Sequence, residues 1–145
     1  FYYAFSEKKY PGIPELDLHV IESQPFSVGD IHFTPILVRH MNMGVTGYRI
    51  GNFTYITDAN FIEETEKEKI RGSEVLVVNA LRKEKHISHF TLQEAVALAT
   101  ELGIPQTYFT HISHQMGLHH AVNQTLPKGM QLAHDGLIVS VNKTP

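Results

Sequence analysis

Gly47-Tyr48-Arg49-Ile50-Gly51-Asn52-Phe53-Thr54-Tyr55-Ile56-Thr57-Asp58 decides how the rest of the 145-residue chain is read. Two runs of β-prone residues flank Gly51-Asn52, a pair suited to a tight turn, so the segment predicts a β-hairpin. Its second arm runs straight into a carboxylate. The same pattern, an apolar strand giving out at a metal-ligand type of residue, recurs on both sides. Upstream, Ile36-Leu37-Val38 leads to His40. Downstream, Tyr108-Phe109-Thr110 leads to His111, and the run from Val75 to Leu81 is followed by a loop carrying His89. Functional groups concentrate on loops that a rigid sheet positions. Strands lying side by side would bring these four ends to one patch.

The remaining elements follow from periodicity and punctuation. Leu16 to Ser23 alternates as a strand does. Phe26-Ser27-Val28 and Ile31-His32-Phe33-Thr34 pair across Gly29-Asp30. Asn60 has the chemistry to cap a charged helix over 61–70, with Gly72 closing it. Val75-Leu76-Val77-Val78 is a continuous apolar run, as in strands buried on both faces. Leu92 to Leu102 is the clearest helix: Thr91 and Glu94 have capping-box spacing, and Gly103 with Pro105 stops it. Residues 117–126 predict a further helix ended by Pro127. Leu132-Ala133-His134 and Leu137 to Val141 predict a last hairpin around Asp135-Gly136. Hairpins, then strand–helix–strand–helix, give an α/β fold in one domain: a mixed sheet with helices on one face.

Composition narrows the chemistry. A net charge of −3 provides no basic field for a polyanion, so nucleic acid is a poor partner. Arg39, Arg49 or Arg82 suits only a small local anion. There is no cysteine, hence no disulfide frame and no thiolate site, and any metal takes His and carboxylate ligands. No apolar run reaches membrane-spanning length and no signal peptide is visible, so the expected setting is cytoplasmic. The first residue is Phe1, which suggests a piece of a longer protein.

Ten histidines are present, four of them in the pairs His86-Ile-Ser-His89 and His111-Ile-Ser-His114. Singly, a strand-end histidine is usually a hydrogen-bonded structural residue. Taken together, His40, Asp58, His89 and His111 favour a site. Two imidazoles and a carboxylate suit Zn²⁺, Mn²⁺ or Fe, and an aspartate between two metals can bridge them. His19 and His32 read as surface residues, His119 and His120 as solvated, and His134 as uninformative. The Glu63 to Lys69 charge run reads as the wet face of a helix.

These residues also carry a resemblance. The segment 47–58, followed by Asn79-Ala80-Leu81-Arg82, His86-Ile87-Ser88-His89-Phe90, Thr110-His111-Ile112-Ser113-His114 and His134-Asp135-Gly136, resembles the metallo-β-lactamase superfamily over nearly the whole chain. Within it, the series is similar to the phosphoribosyl 1,2-cyclic phosphate phosphodiesterases. The resemblance implies an αββα sandwich and two divalent metals, zinc or manganese or iron. It implies His40 as a metal ligand, Asp58 as the metal-bridging aspartate and His111 as the last histidine ligand. His89 would be the non-ligand histidine that contacts phosphate and assists the leaving group as a general acid. His86 and His114 would support the site from behind, and Arg49 and Arg82 would bear on the substrate. The implied reaction is hydrolysis of a small cyclic phosphodiester by metal-bound hydroxide.

The chain departs from the pattern in two ways. The leading motif His-x-His-x-Asp-His is absent. Residues 1–145 are therefore expected to be the C-terminal half of the sandwich. Alone they should bind metal weakly or not at all, and be inactive or active only with the missing half. Relatives that mature tRNA 3′ ends carry an acidic residue three before the bridging aspartate, where this chain has Tyr55. Three alternatives stay open: hydrolysis of a thioester, lactone or amide, a non-enzymatic metal-binding module, and a self-associating fragment whose bare sheet is covered by a homo-oligomer mate.

Overall fold

The computed structural model describes residues 2–6, 11–14 and 16–141. Eight strands form one mixed sheet: β1 (Phe26–Val28), β2 (Ile31–His40), β3 (Met43–Ile50), β4 (Phe53–Ile56), β5 (Phe61–Ile62), β6 (Val75–Asn79), β7 (Gln106–Thr110) and β8 (Met130–Leu132). Their order is β1-β2-β3-β4-β6-β7-β8, with β5 added to β2. Among the described residues three α-helices accompany them: α1 (Glu64–Ile70), α2 (Leu92–Glu101) and α3 (His119–Asn123).

Strand direction positions the site. β2 runs antiparallel to β3, and β3 antiparallel to β4. From there β4, β6, β7 and β8 are mutually parallel. So β2, β4, β6, β7 and β8 all point one way, and their C-terminal ends share one edge of the sheet. That is where open α/β sheets place ligands.

Cross-strand register sets the core. Ile36 lies opposite Gly47, Ile56 beside Val78, Val78 beside Phe109, and Phe109 beside Leu132. The apolar side chains of this row are buried and form one cluster with Ile70 of α1, Leu92, Ala95, Leu98 and Ala99 of α2, and Val122 of α3. Fully burying a side chain of this size contributes about 1.5–3 kcal/mol. The helices thus cover one face. On the other, Leu37 and Tyr55 remain 43% and 42% exposed. Gly47 permits this register, because a Cβ there would sit 2.7 Å from Ile56 Cγ1 and 2.9 Å from the Tyr55 carbonyl oxygen.

The Gly29-Asp30 and Gly51-Asn52 hairpins are present as expected, with Gly29 and Gly51 at positive φ. The capping box forms with both of its hydrogen bonds, Glu94 N to Thr91 Oγ1 and Thr91 N to Glu94 Oε2.

Other expectations need correction. Leu16 to Ser23 is not a strand: its alternation meets no partner, and Leu18 and Val20 are 74% and 89% exposed. The charged helix starts at Glu64 with Glu63 as its N-cap, since Phe61–Ile62 pair with Val38 and Arg39 and draw the chain into the sheet. Its charges are not merely wet. Lys67 bonds Glu101 of α2, and Glu66 Oε2 accepts from Leu37 N on β2 at 2.7 Å. The helix expected over 117–126 is shortened to α3, with a 3-10 turn at His114–Met116 broken by Gly117 at φ 101°. The last hairpin does not form. Met130–Leu132 add parallel to β7, and residues 137–141 are no strand, although Leu137 N does close the Asp135-Gly136 turn onto His134 O.

Gly47→Ala should destabilise the fold by about 1–3 kcal/mol, the cost of overpacking a closed contact. Urea unfolding measures it as a lowered midpoint with an unchanged slope.

Candidate metal centre

His40 is the last residue of β2, and His111 follows β7 directly. Asp58 lies just beyond β4, and His89 sits in the loop after β6. All four reach the same sheet edge. His89 Nε2 is 3.1 Å from Asp58 Oδ1, and His111 Nε2 is 3.3 Å from the same oxygen. The His89 ring meets His40 edge-on at 4.6 Å and stacks on His111 at 4.7 Å. Donor atoms of His40, Asp58 and His89 lie within 4.8 Å of one another. The His89 side chain is 11% exposed, against 42% for Asp58 and 39% for His111, so His89 forms the floor of an open site.

The backbone here is unusual. Among the described residues, the non-glycine residues at positive φ are Met41 (56°), Asp58 (54°) and His111 (58°). One follows a candidate ligand and two are candidates themselves. Such conformations cost of order 1–3 kcal/mol each and persist only where neighbours over-determine them. The neighbours are visible. Asn79, the buried last residue of β6, accepts from Ala59 N through Oδ1 and donates to Ala59 O through Nδ2, both at 2.8 Å. Phe90 N also donates to Ala59 O at 2.8 Å, tying the His89 loop to the Asp58 loop. Ser113 N donates to Leu81 O, fixing the chain beyond His111.

Behind His89, its Nδ1 is 2.9 Å from Ser88 Oγ and 3.2 Å from His86 Nδ1. Asp58 as a carboxylate only accepts, so His89 donates from Nε2 and its Nδ1 accepts from Ser88. Burial pushes the His89 imidazole below the usual histidine range. The bond to Asp58 opposes this, while His111 and His40 add to the downward push.

The other sequence candidates lie elsewhere. Arg49 sits opposite Thr54, toward the far end of β4 from Asp58, and donates to the carbonyls of Gly51, Lys69 and Arg71. Arg82 fastens its own loop through Glu84 O and Lys85 O and reaches Gln115. His114, itself exposed, begins the 3-10 turn. His86 alone of these touches the four. His119, read as solvated, is exposed and also bonds Leu132 O and Asn123. Asn60, Asn79 and Ser88 were not legible as site residues, since neither asparagine's partners are near it in sequence.

The donor set fits a divalent ion. Two ligands at zinc's usual 2.0–2.2 Å in tetrahedral geometry lie about 3.4 Å apart. The contact from Asp58 Oδ1 to His111 Nε2, at 3.3 Å, is close to that spacing.

The family model of the β-lactamase superfamily domain matches residues 1–112. The chain belongs to the metallo-β-lactamase superfamily. The mixed sheet with its helices is the metallo-β-lactamase fold. The crystal structure of a diphosphatase from the PhnP family matches at 37% identity and TM-score 0.84, over 87% of this chain and 49% of that one. It supports the PhnP-like branch of the superfamily. The metallo-β-lactamase fold protein YhfI from Bacillus subtilis matches at 17% identity and TM-score 0.69, over 83% of this chain and 54% of that one. A Porphyromonas gingivalis protein named octanoyltransferase is 33% identical over 138 residues, which are 94% of this chain and 28% of the relative. The chain therefore spans about half or less of the length of these relatives.

Asp58→Asn keeps a side chain that tolerates positive φ but loses the charge. Zinc affinity should fall at least tenfold by calorimetry while the melting temperature stays close to native. Met41→Gly should stabilise the chain by about 1 kcal/mol by relieving the left-handed conformation, read from denaturant unfolding.

Proposed function

We propose that this chain supplies one wall of a metal-dependent hydrolase that cleaves phosphoester bonds, with a small cyclic phosphodiester as its preferred substrate. The observation that carries this reading is the convergence of His40, Asp58, His89 and His111 on one sheet edge. The 37% identity to a PhnP-family diphosphatase supports the choice of bond. His40, Asp58 and His111 would hold zinc or manganese, with Asp58 shared between two ions. Bound there, the metals supply Lewis acidity and a nucleophile at neutral pH.

His89 does different work. Its buried imidazole is biased to the neutral form and carries its proton on Nε2, at the open edge. Ser88, through Nδ1, holds that tautomer. A leaving alkoxide within reach takes this proton as its bond to phosphorus breaks. A cavity of about 300 Å³ beside His111, lined by Thr110, Ile112, Ala133, His134 and Asp135, gives the substrate room on the β8 side.

The sheet face bearing Leu37 and Tyr55 would pack against the other half of the sandwich, which brings the remaining ligands. On this reading residues 1–145 alone are inactive. Purified chain with Mn²⁺ or Zn²⁺ should show no turnover of a chromogenic phosphodiester above background. Activity should appear on adding a polypeptide that carries the His-x-His-x-Asp-His half. Robust turnover by the chain alone would contradict the half-site reading. In the active assembly, His89→Ala should lower kcat by about 10²–10⁴-fold.

A second reading, acyl hydrolysis, is favoured by the 33% identity to the protein named octanoyltransferase. Faster cleavage of an octanoyl thioester than of the phosphodiester would select it.

A further inference from the structure

Asn60 was expected to cap a helix, and it does not. Three of its polar groups go to the end of β2, the turn after it and the His89 loop. Its backbone N–H donates to Arg39 O at 2.8 Å, and its Oδ1 accepts from Met41 N at 2.9 Å. The two bonds fall on either side of His40. Its Nδ2 donates to Ile87 O at 3.2 Å, two residues before His89. Asn60 itself lies two residues after Asp58. One residue therefore links the loops of three of the four converging side chains.

The side chain is assigned by its partners. Met41 N–H requires an acceptor and the Ile87 carbonyl requires a donor, so the amide has one orientation that serves both. Asp offers no donor, Ser is too short to span both loops, and Ala offers neither group. Asn79 works underneath, on the backbone N–H and carbonyl of Ala59, and leaves Asn60 as the lateral strap. The strap also meets the strained point, since Met41 holds φ 56° next to His40.

We propose that Asn60 is a positioning residue whose amide oxygen sets the His40 turn and whose amide nitrogen sets the His89 loop, fixing the spacing of both imidazoles about Asp58 before metal arrives. This rests on reading those side chains as one metal centre. Groups behind a metal ligand typically change affinity by about 10–100-fold when lost.

The test uses the metal-free chain of 145 residues. In Asn60→Ala, the Met41 amide should exchange faster and the imidazole ¹⁵N signals of His40 and His89 should shift. Zn²⁺ affinity by calorimetry should fall about tenfold or more, with the melting temperature little changed. Asn60→Asp keeps the acceptor and loses the donor. There the Met41 amide should keep its native protection while the signals of residues 86–89 move. Native spectra and native affinity in Asn60→Ala overturn the proposal, as do equal disturbances of both loops in Asn60→Asp. If Asn60→Ala fails to fold, Asn60→Asp decides by the same readouts. Absence of phosphodiester turnover by the native chain combined with a polypeptide carrying the His-x-His-x-Asp-His half would count against the hydrolase reading alone, because these spectra need neither substrate nor turnover.

Discussion

Ala59 is held through both its backbone N–H and its carbonyl, and the rest of the site depends on that clamp. Asn79 makes both bonds from a fully buried position at the end of β6. A buried amide left unpaired would cost about 1–3 kcal/mol. Here each group meets its complement, so the cost of burial becomes a constraint on geometry. β6 lies between β4 and β7. Its C-terminal end therefore touches both neighbours: the Asp58 loop through Asn79, and β7 through the bond from Ala80 N to Thr110 O. The His89 loop joins through Phe90 N and through Leu81 N to Phe90 O. A shift at this point would move three of the four converging side chains.

The strain at the site is consistent with that over-determination. Asp58 and His111 adopt left-handed backbone at strand ends, where the chain must turn out of the sheet at once. In that conformation the side chain stays at the sheet edge and is not carried away by a loop. The third such residue, Met41, stands first in a two-residue hairpin turn. Gly29 and Gly51 hold the equivalent place in the other two hairpins and share its positive φ. Local preference is satisfied away from the site and overridden beside it. That pattern is expected where function competes with stability.

Local signals were the legible ones. Gly-Asp and Gly-Asn turns, the continuous apolar run of β6 and the Thr91–Glu94 capping box each act over a few residues, and the structure contains all of them. The convergence of His40, Asp58, His89 and His111 was also legible, because parallel strands end on one edge whatever their spacing in sequence. Two misreadings have a common physical cause. Leu16 to Ser23 alternates without pairing, and Leu137 to Val141 does not pair back onto β8, so periodicity alone did not make strands of them. Asn60 looked like a cap because its neighbours looked helical, but Phe61–Ile62 pair with β2 first. The Asn79 clamp spans 20 residues and the Asn60 bond to Ile87 spans 27, distances at which sequence spacing carries no geometric information. Arg49 was drawn toward a substrate by its charge, whereas its guanidinium binds three backbone carbonyls.

The central claim is that these four side chains form one wall of a metal centre. The most direct measurement is the imidazole ¹⁵N spectrum of the chain during titration with Zn²⁺. The account predicts that ring nitrogens of His40, His89 and His111 respond together, at a common metal concentration, while His19, His32 and His120 stay unmoved. A response confined to those outer histidines, or separate responses at His40 and His111, would contradict it.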